Sequence, residues 1–461
     1  MRPAFGLTFL LLAALPAAGV TPAGDRLAEA VRADDHAAIR RLIAAHADPN
    51  TPLPDKSTVL AWAVDRQDGE SVRLLLAAGA RPNVADISGT TPLTLACELG
   101  NPDIVVALVR AGADVRAARA DGIAALALCA GTSTQEALAA LIAKGAPVNA
   151  ADPDGQTALM WAAAKGKTAN IEVLLKHGAN VNAVAHRGFT PLFFALRSKV
   201  PQAASMLLGA GADAGAVLPD NTSVPEAAVL ENNIPFAMQL VSRGADLKQR
   251  DSDGKQLIHI AAMSGDAAFV KLVLAKGGDP NAPTQPPPAQ VAQAAPAPAA
   301  NAGGAKLAAA DGAAGPPKPP VVATPPLVFA ARSGSADAMK ALVEAGARPD
   351  AKAADGTSVA LAAAYSGNLA AVKYAVELDP DINATAQGGK SIMHMAVMNR
   401  QAPEAEAVIR FLADKGARLD VKDDSGGTAG DFLNRGTLGT ENLRIFYIQL
   451  LRDHGIVGTA H

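Results

Sequence analysis

Gly155-Gln-Thr-Ala-Leu159, then Ile171, Leu174 and Leu175, then Gly178-Ala179 and Asn182: this stretch decides the fold, because it recurs. Gly-Ala pairs stand at Gly79, Gly112, Gly145, Gly178, Gly211 and Gly244, each 33 residues from the last, and a Gly277-Gly278 variant follows. His46-Ala47 lies one step earlier. Gly346-Ala347 comes 69 residues after Gly277, so 36 residues are inserted into an otherwise regular step. Asp379-Pro380 is a degenerate copy, and Gly416-Ala417 closes the series.

Two more landmarks keep phase with the first. Gly89-Thr-Thr-Pro-Leu93 and Gly188-Phe-Thr-Pro-Leu192 occupy the place of Gly155–Leu159, as do Gly254, Gly356, Gly389 and Gly426. Asn50, Asn83, Asn149, Asn182, Asn281 and Asn383 each lie four residues beyond the Gly-Ala position. Within one copy, Thr91 or Thr190 is placed to cap a first helix, with Pro92 or Pro191 in its first turn, where a missing N–H costs nothing. Ala96, Ala162-Ala163 and Ala261-Ala262 allow close helix approach. Ile171, Leu174 and Leu175 give a second helix its 3.6-residue period. A glycine able to adopt a left-handed conformation ends it, and the asparagine beyond it suits bonds to turn backbone.

The pattern resembles the ankyrin repeat, a β-turn followed by two antiparallel helices with a 33-residue period. The resemblance spans roughly residues 25–282 and 327–457. It implies an all-α ankyrin-repeat solenoid of stacked helix-turn-helix units with β-turn tips, about 11–12 units including caps. One unit cannot bury its own apolar face, so stability comes from stacking. The end copies depart from the pattern as caps should. The stretch from Leu27 to Asn50 carries Arg26, Arg32, Asp34, Asp35, Arg40 and Arg41, and Leu443, Ile445, Phe446, Ile448, Leu450 and Leu451 mark a last amphipathic helix. Gln401-Ala402-Pro403-Glu404 lengthens the link between the helices of one late copy.

Composition fits this reading. The 461 residues are 49% apolar, yet only 3% are aromatic. Alanine, leucine, valine and isoleucine therefore carry the apolar content, which suits thin helical layers. Net charge is −3 and the charged fraction 18%. There is no overall basic excess for gripping nucleic acid or an anionic membrane, and too much apolar content for a wholly disordered chain.

The chain divides as follows. Residues 1–19 read as a signal peptide: Arg2, an apolar run from Ala4 to Leu15, then Pro16-Ala17-Ala18-Gly19, with cleavage expected after Gly19. The run is about a dozen residues, short of the ~20 that span a bilayer. An uncleaved anchor is the alternative. The short Ala/Leu-rich signal looks bacterial, so a periplasmic or secreted protein is expected, with no stable membrane insertion after cleavage. Residues 20–282 hold about eight units and 327–461 about four with the C-terminal cap. The Pro/Ala-rich insertion 283–326 lacks an apolar period and is expected to be a disordered or extended polyproline-like chain. It is either a loop extruded from one stack or a hinge between two; resumption of the repeat phase favours the loop.

No catalytic motif emerges. Gly166-Lys167-Thr168 and Gly389-Lys390-Ser391 lack the first glycine of a phosphate loop, which would fall on Trp161 and Ala384. His259 and His394 share a repeat slot and read as structural links between turns, not metal ligands. Cys97 and Cys129 sit on neighbouring first helices. Stacked helices ~8–10 Å apart exceed the ~7 Å that a disulfide allows between Cα atoms, so two buried thiols are expected. Trp62 and Trp161 share a slot with Leu95, Leu128, Phe194, Ile260 and Phe329, which reads as core. No cofactor, ligand or metal is implied.

The resemblance implies a non-catalytic scaffold that binds a partner protein on its concave face, through turn tips and the ends of first helices. One slot per repeat gives Asp65, Glu98, Gly131, Ala164, Arg197, Leu230, Met263, Arg332, Tyr365 and Met398. Turn tips give Ile87, Ile123, Gln156, His186, Arg187, Phe189, Asp253 and Lys255. The partner-binding candidates are Phe189, Arg187, Arg197, Leu230, Met263, Arg332, Tyr365 and Met398, with Phe189 the foremost single residue. A secreted effector binding host proteins is the alternative, and an enzyme with a site hidden in the repeats is a remote one.

Overall fold

A computed structural model describes residues 23–53, 56–285, 323–399, 401–434 and 441–456. The signal peptide expected at 1–19 and residues 286–322 of the Pro/Ala-rich insertion lie outside the described residues. The described residues form twelve helix pairs, and the chain divides into two bodies, Met1–His186 and Arg187–His461.

In the first body the first helices are Ala23–Arg32, Val59–Asp65, Pro92–Leu99, Ala125–Thr132 and Ala158–Ala164. Each is followed by a second helix: His36–Ala44, Gly69–Ala77, Pro102–Arg110, Gln135–Ala143 and Thr168–Lys176. In the second body the first helices are Pro191–Arg197, Val224–Leu230, Leu257–Ser264, Pro326–Ser333, Val359–Ser366, Ile392–Met398 and Ala429–Asn434. Their partners are Pro201–Gly209, Ile234–Ser242, Ala267–Ala275, Ala336–Glu344, Leu369–Leu378, Ala405–Asp414 and Glu441–Asp453. Within each body first helices pack on first helices and second on second.

Local chemistry explains the elements. Thr91 accepts the Thr94 N–H while the Thr94 hydroxyl accepts the Thr91 N–H, a reciprocal cap ahead of Pro92. Thr190 holds the same N-cap position but makes no side-chain cap bond. Ala96, Ala162, Ala163, Ala261 and Ala262 are all buried at the first-helix contacts. Ile171 and Leu174 are fully buried from the second helix, each adding about 1.5–3 kcal/mol relative to exposure. Gly178 ends that helix at φ +80, a conformation that disfavours any residue with a Cβ.

The turn tips are short antiparallel contacts. Thr385–Ala386 pairs with Lys390–Ser391, and single bridges join Ala118 to Ala124, Ala151 to Thr157, Val217 to Ser223, Lys352 to Ser358 and Lys422 to Thr428. An aspartate organises many of these turns. Asp86, Asp152, Asp251 and Asp423 each accept two turn N–H bonds through Oδ1, at 2.8–3.0 Å.

The repeat asparagines do more than brace their own turns. Asn50, Asn83 and Asn149 each donate to the carbonyl of the next repeat's glycine (Gly79, Gly112, Gly178) and accept the N–H two residues beyond it. Asn281 makes the same pair of bonds across the insertion, to Gly346 O at 2.8 Å and from Arg348 N at 2.9 Å. Thr284 N donates to Thr324 O, and Thr324 N to Thr284 Oγ1. Helix Pro326–Ser333 packs on Leu257–Ser264. The repeat before the insertion thus stacks directly on the repeat after it.

Two expectations need correction. Cys97 and Cys129 are not free thiols: they form a disulfide with Cα atoms 4.4 Å apart. The spacing of helix axes overstates the gap between facing Cα atoms where Ala96, Ala130 and Gly131 leave no side-chain bulk. In the last helix, Glu441–Asp453, Ile445 is 55% exposed, while Tyr447 is buried and donates its hydroxyl to Leu419 O at 3.1 Å.

Candidate functional site

The slot that follows the alanine-rich core of each first helix is set by geometry. It lies at or next to the helix end, in most copies one residue past the last buried position, where the side chain leaves the stack. In the second body it carries Arg197, Leu230, Met263, Arg332, Tyr365 and Met398, and all six are exposed. Leu230 is 67% exposed, Met263 44%, Tyr365 41% and Met398 39%. Isolated exposed apolar residues are ordinary. Here four large ones occupy one structural position in a stack of repeats.

The next slot keeps this row low in charge. Ser198, Ser264, Ser333 and Ser366 turn their hydroxyls back onto helix carbonyls three residues earlier, at 2.7–2.9 Å. Asn399 donates to Ser366 O at 3.1 Å. Glu231 is the one acid in that slot, and it lies 3.6 Å from Arg197. Arg332 has no ion pair among the described residues.

In the first body the same slot is different. Asp65 and Glu98 are exposed, Gly131 is buried and Ala164 half-buried. Glu98 pairs with Arg119 at 2.9 Å, Arg119 also binds Asp121, and Arg66 binds Asp34. Glu98 there is ion-paired, whereas the second body presents apolar groups and, in Arg332, a guanidinium with no ion pair among the described residues.

Of the turn-tip candidates, Arg187 is exposed with φ +70. Phe189 is half-buried, its ring 6.1 Å from Phe193 and 5.8 Å from Phe194. It folds back onto its own helix instead of projecting. The slot shared by Trp62 and Trp161 is mixed: Leu128 and Ile260 are buried, but Leu95, Trp62, Trp161, Phe194 and Phe329 are half-buried. Phe194 and Phe329 lie on the helices that carry Arg197 and Arg332.

His259 accepts Gln256 N–H at Nδ1 (3.0 Å) and donates from Nε2 to Ala282 O (2.7 Å). Burial pushes its pKa down to about 4, so it is a neutral link between turns. His394 makes the corresponding bonds, accepting from Ser391 N at 3.2 Å and donating to Gly427 O at 3.1 Å. Among the described residues no cluster of three His, Cys, Asp or Glu could hold a metal ion. Nor is any helix among them long and apolar enough to cross a membrane.

With twelve paired helices, turn tips and asparagine links in place, the class is that of a stacked-repeat interaction scaffold. The ankyrin repeats family profile matches residues 27–119, 122–218 and 327–423, more than half of the chain. The chain belongs to the ankyrin-repeat family, and its repeats mark it as a protein–protein interaction scaffold. No curated protein matches it.

Proposed function

We propose that the chain is an exported, non-catalytic scaffold that grips a partner protein along the row Arg197, Leu230, Met263, Arg332, Tyr365 and Met398. The supporting observation is the exposure of all six slots, four of them large and apolar. Apolar patches of this kind favour protein contacts, and Tyr, Met and Arg are enriched in them. The partner segment lays apolar side chains against Leu230 and Met263 and against Tyr365 and Met398, and brings a carboxylate to Arg332. Arg187 lies at a turn tip in the same body, two residues before Phe189.

Export is part of this reading. The N-terminal signal pattern supports it, and so does the disulfide, because such bonds persist in oxidising compartments such as the periplasm and are rare in the cytosol. Affinity capture from periplasmic extract should return one partner at stoichiometric amounts. A Met263→Ala, Tyr365→Ala double variant should bind it at least tenfold more weakly with unchanged helicity, in keeping with truncation of central apolar anchors. Full binding after alanine replacement of all six positions would refute the surface.

A further inference from the structure

The first helix pair, Ala23–Arg32 with His36–Ala44, has a repeat on one side only among the described residues. A repeat contacts its neighbours alone, so one junction decides whether this pair stays docked. The apolar part of that junction is complete: Leu27, Val31 and Ile39 are fully buried on the pair, as are Val59, Leu60 and Val72 on the repeat that follows.

The polar part turns on His36. Its Nε2 lies 2.8 Å from Asp68 Oδ2, and its Nδ1 lies 3.3 Å from Glu70 Oε2. Both acids belong to the following repeat, Asp68 as the N-cap of helix Gly69–Ala77 and Glu70 in its first turn. Neutral imidazole carries one N–H and one lone pair. Whichever tautomer forms, a lone pair then faces a carboxylate oxygen, acceptor against acceptor. Only imidazolium, a donor at both nitrogens, satisfies both contacts.

We propose that His36 is a proton-gated clasp: as imidazolium it ties the first helix pair to the next repeat, and loss of the proton to solvent releases that tie and lets the pair open. The Asp68 hydrogen bond first, with the Glu70 charge added, raises the His36 pKa above its ordinary 6.5, against desolvation and Arg40. The clasp is therefore closed below about pH 6.5 and is lost as pH rises through the raised value.

The other charges around the ring are accounted for. On its own helix, Arg40 is ion-paired with Glu70, Asp35 caps the helix by accepting the Ala38 N–H at 2.8 Å, and Arg41 is exposed. On the packed helix Ala23–Arg32, Asp25, Arg26 and Glu29 are exposed, and Arg32 lies over the Trp62 ring at 3.9 Å. Arg73 on helix Gly69–Ala77 is exposed. Two ion pairs, Asp34–Arg66 and Arg40–Glu70, also cross the junction and do not depend on the His36 proton. They limit the clasp to a severalfold effect, as expected of a partly exposed ion pair. The clasp lies in the first body and is independent of the binding row proposed in the second.

Fraying of an end repeat precedes global unfolding, so local exchange reads the clasp and global melting does not. Hydrogen exchange of the full chain, corrected for intrinsic rates, should rise about two- to fivefold across residues 36–44 between pH 6 and 8.5. In His36→Gln, which keeps a donor and cannot gain charge, the profile should be flat. Side-chain 13C resonances of labelled histidine, with His36 assigned by its absence from His36→Gln, should show it titrating above 6.5 in the wild-type chain, and lower in Asp68→Asn, which keeps the helix cap and removes the charge. A flat exchange profile in the wild type, an equal rise in His36→Gln, or a His36 titration at or below 6.5 overturns the clasp.

Discussion

The disulfide allows the sharpest test, because its effect is confined to one body and the probes for it are already in place. Cys97 and Cys129 are 32 residues apart in sequence. In the chain-entropy picture, closing a loop of that length removes about 3–4 kcal/mol of disorder from the unfolded state. Both cysteines are fully buried, so reduction requires denaturant followed by refolding. The chain has two tryptophans, Trp62 and Trp161. They lie on the first helices that flank the cysteine-bearing pair, and all four residues are in the first body. Tryptophan fluorescence therefore reports the body that carries the crosslink, while far-ultraviolet circular dichroism reports both. With a urea slope of about 2 kcal/mol per molar, reduction should lower the fluorescence midpoint by roughly 2 M. The circular dichroism curve should split, with a second transition that does not respond to reductant. A fluorescence shift below about 0.5 M would refute the reasoning. So would two titratable thiols in denatured protein taken from the oxidising compartment.

Three further outcomes follow from the stacking contacts and the buried titratable groups. Asn281→Ala removes two exposed hydrogen bonds spanning the insertion and should cost about 1–2 kcal/mol, read as a lower urea midpoint of the second body; Asn149→Ala should cost a similar amount in the first body, detected by tryptophan fluorescence. Glu226, raised to about 8 when folded, contributes stability that is complete below about pH 4.5 and is lost as pH rises through 8. His259, lowered to about 4, contributes stability that is present above about 6.5 and is lost as pH falls through 4. The two slopes cancel between about pH 4.5 and 6.5, so thermal melts should plateau there, then lose roughly 2 kcal/mol between pH 6.5 and 8, a loss absent in Glu226→Gln. Gly254→Ala should destabilise by more than the ~1 kcal/mol of an exposed turn such as Gly178, since its φ is +73 and a Cβ would strike the Gln285 backbone.

Much of the architecture is legible because a repeat states each rule many times. Gly178 and its counterparts require positive φ, Ala96 and Ala261 permit close approach, and both requirements appear in the letters themselves. Other features depend on relations between copies. The aspartates at 86, 152, 251 and 423 organise turns, yet one aspartate in a turn is too common to stand out. The asparagines were legible as turn residues, but their bonds run to the following repeat, which only the stack reveals. The disulfide was missed because helix spacing describes axes, while the bond depends on facing Cα atoms beside alanine and glycine. Phe189 misleads for a related reason: at a turn tip it has water on one side, but Phe193 and Phe194, four and five residues on, offer it a larger apolar surface.

The candidate face is legible to a different degree, and for a physical reason. Buried slots in a stack are constrained by their neighbours, so Leu192 or Ala195 reports on packing alone. The slot of Leu230 and Met263 leaves the stack, and stacking does not dictate what stands there. Apolar residues in such a position gain nothing from the fold. Asp65 and Glu98 fill it in the first body at no cost in solvation, and Glu98 is held by Arg119. Leucine, methionine and tyrosine in the second body leave apolar surface in water, a cost of roughly 25 cal/mol for each square ångström. Covering that surface would recover this free energy on association, and that is the physical ground for proposing the row in the second body as the face that grips a partner.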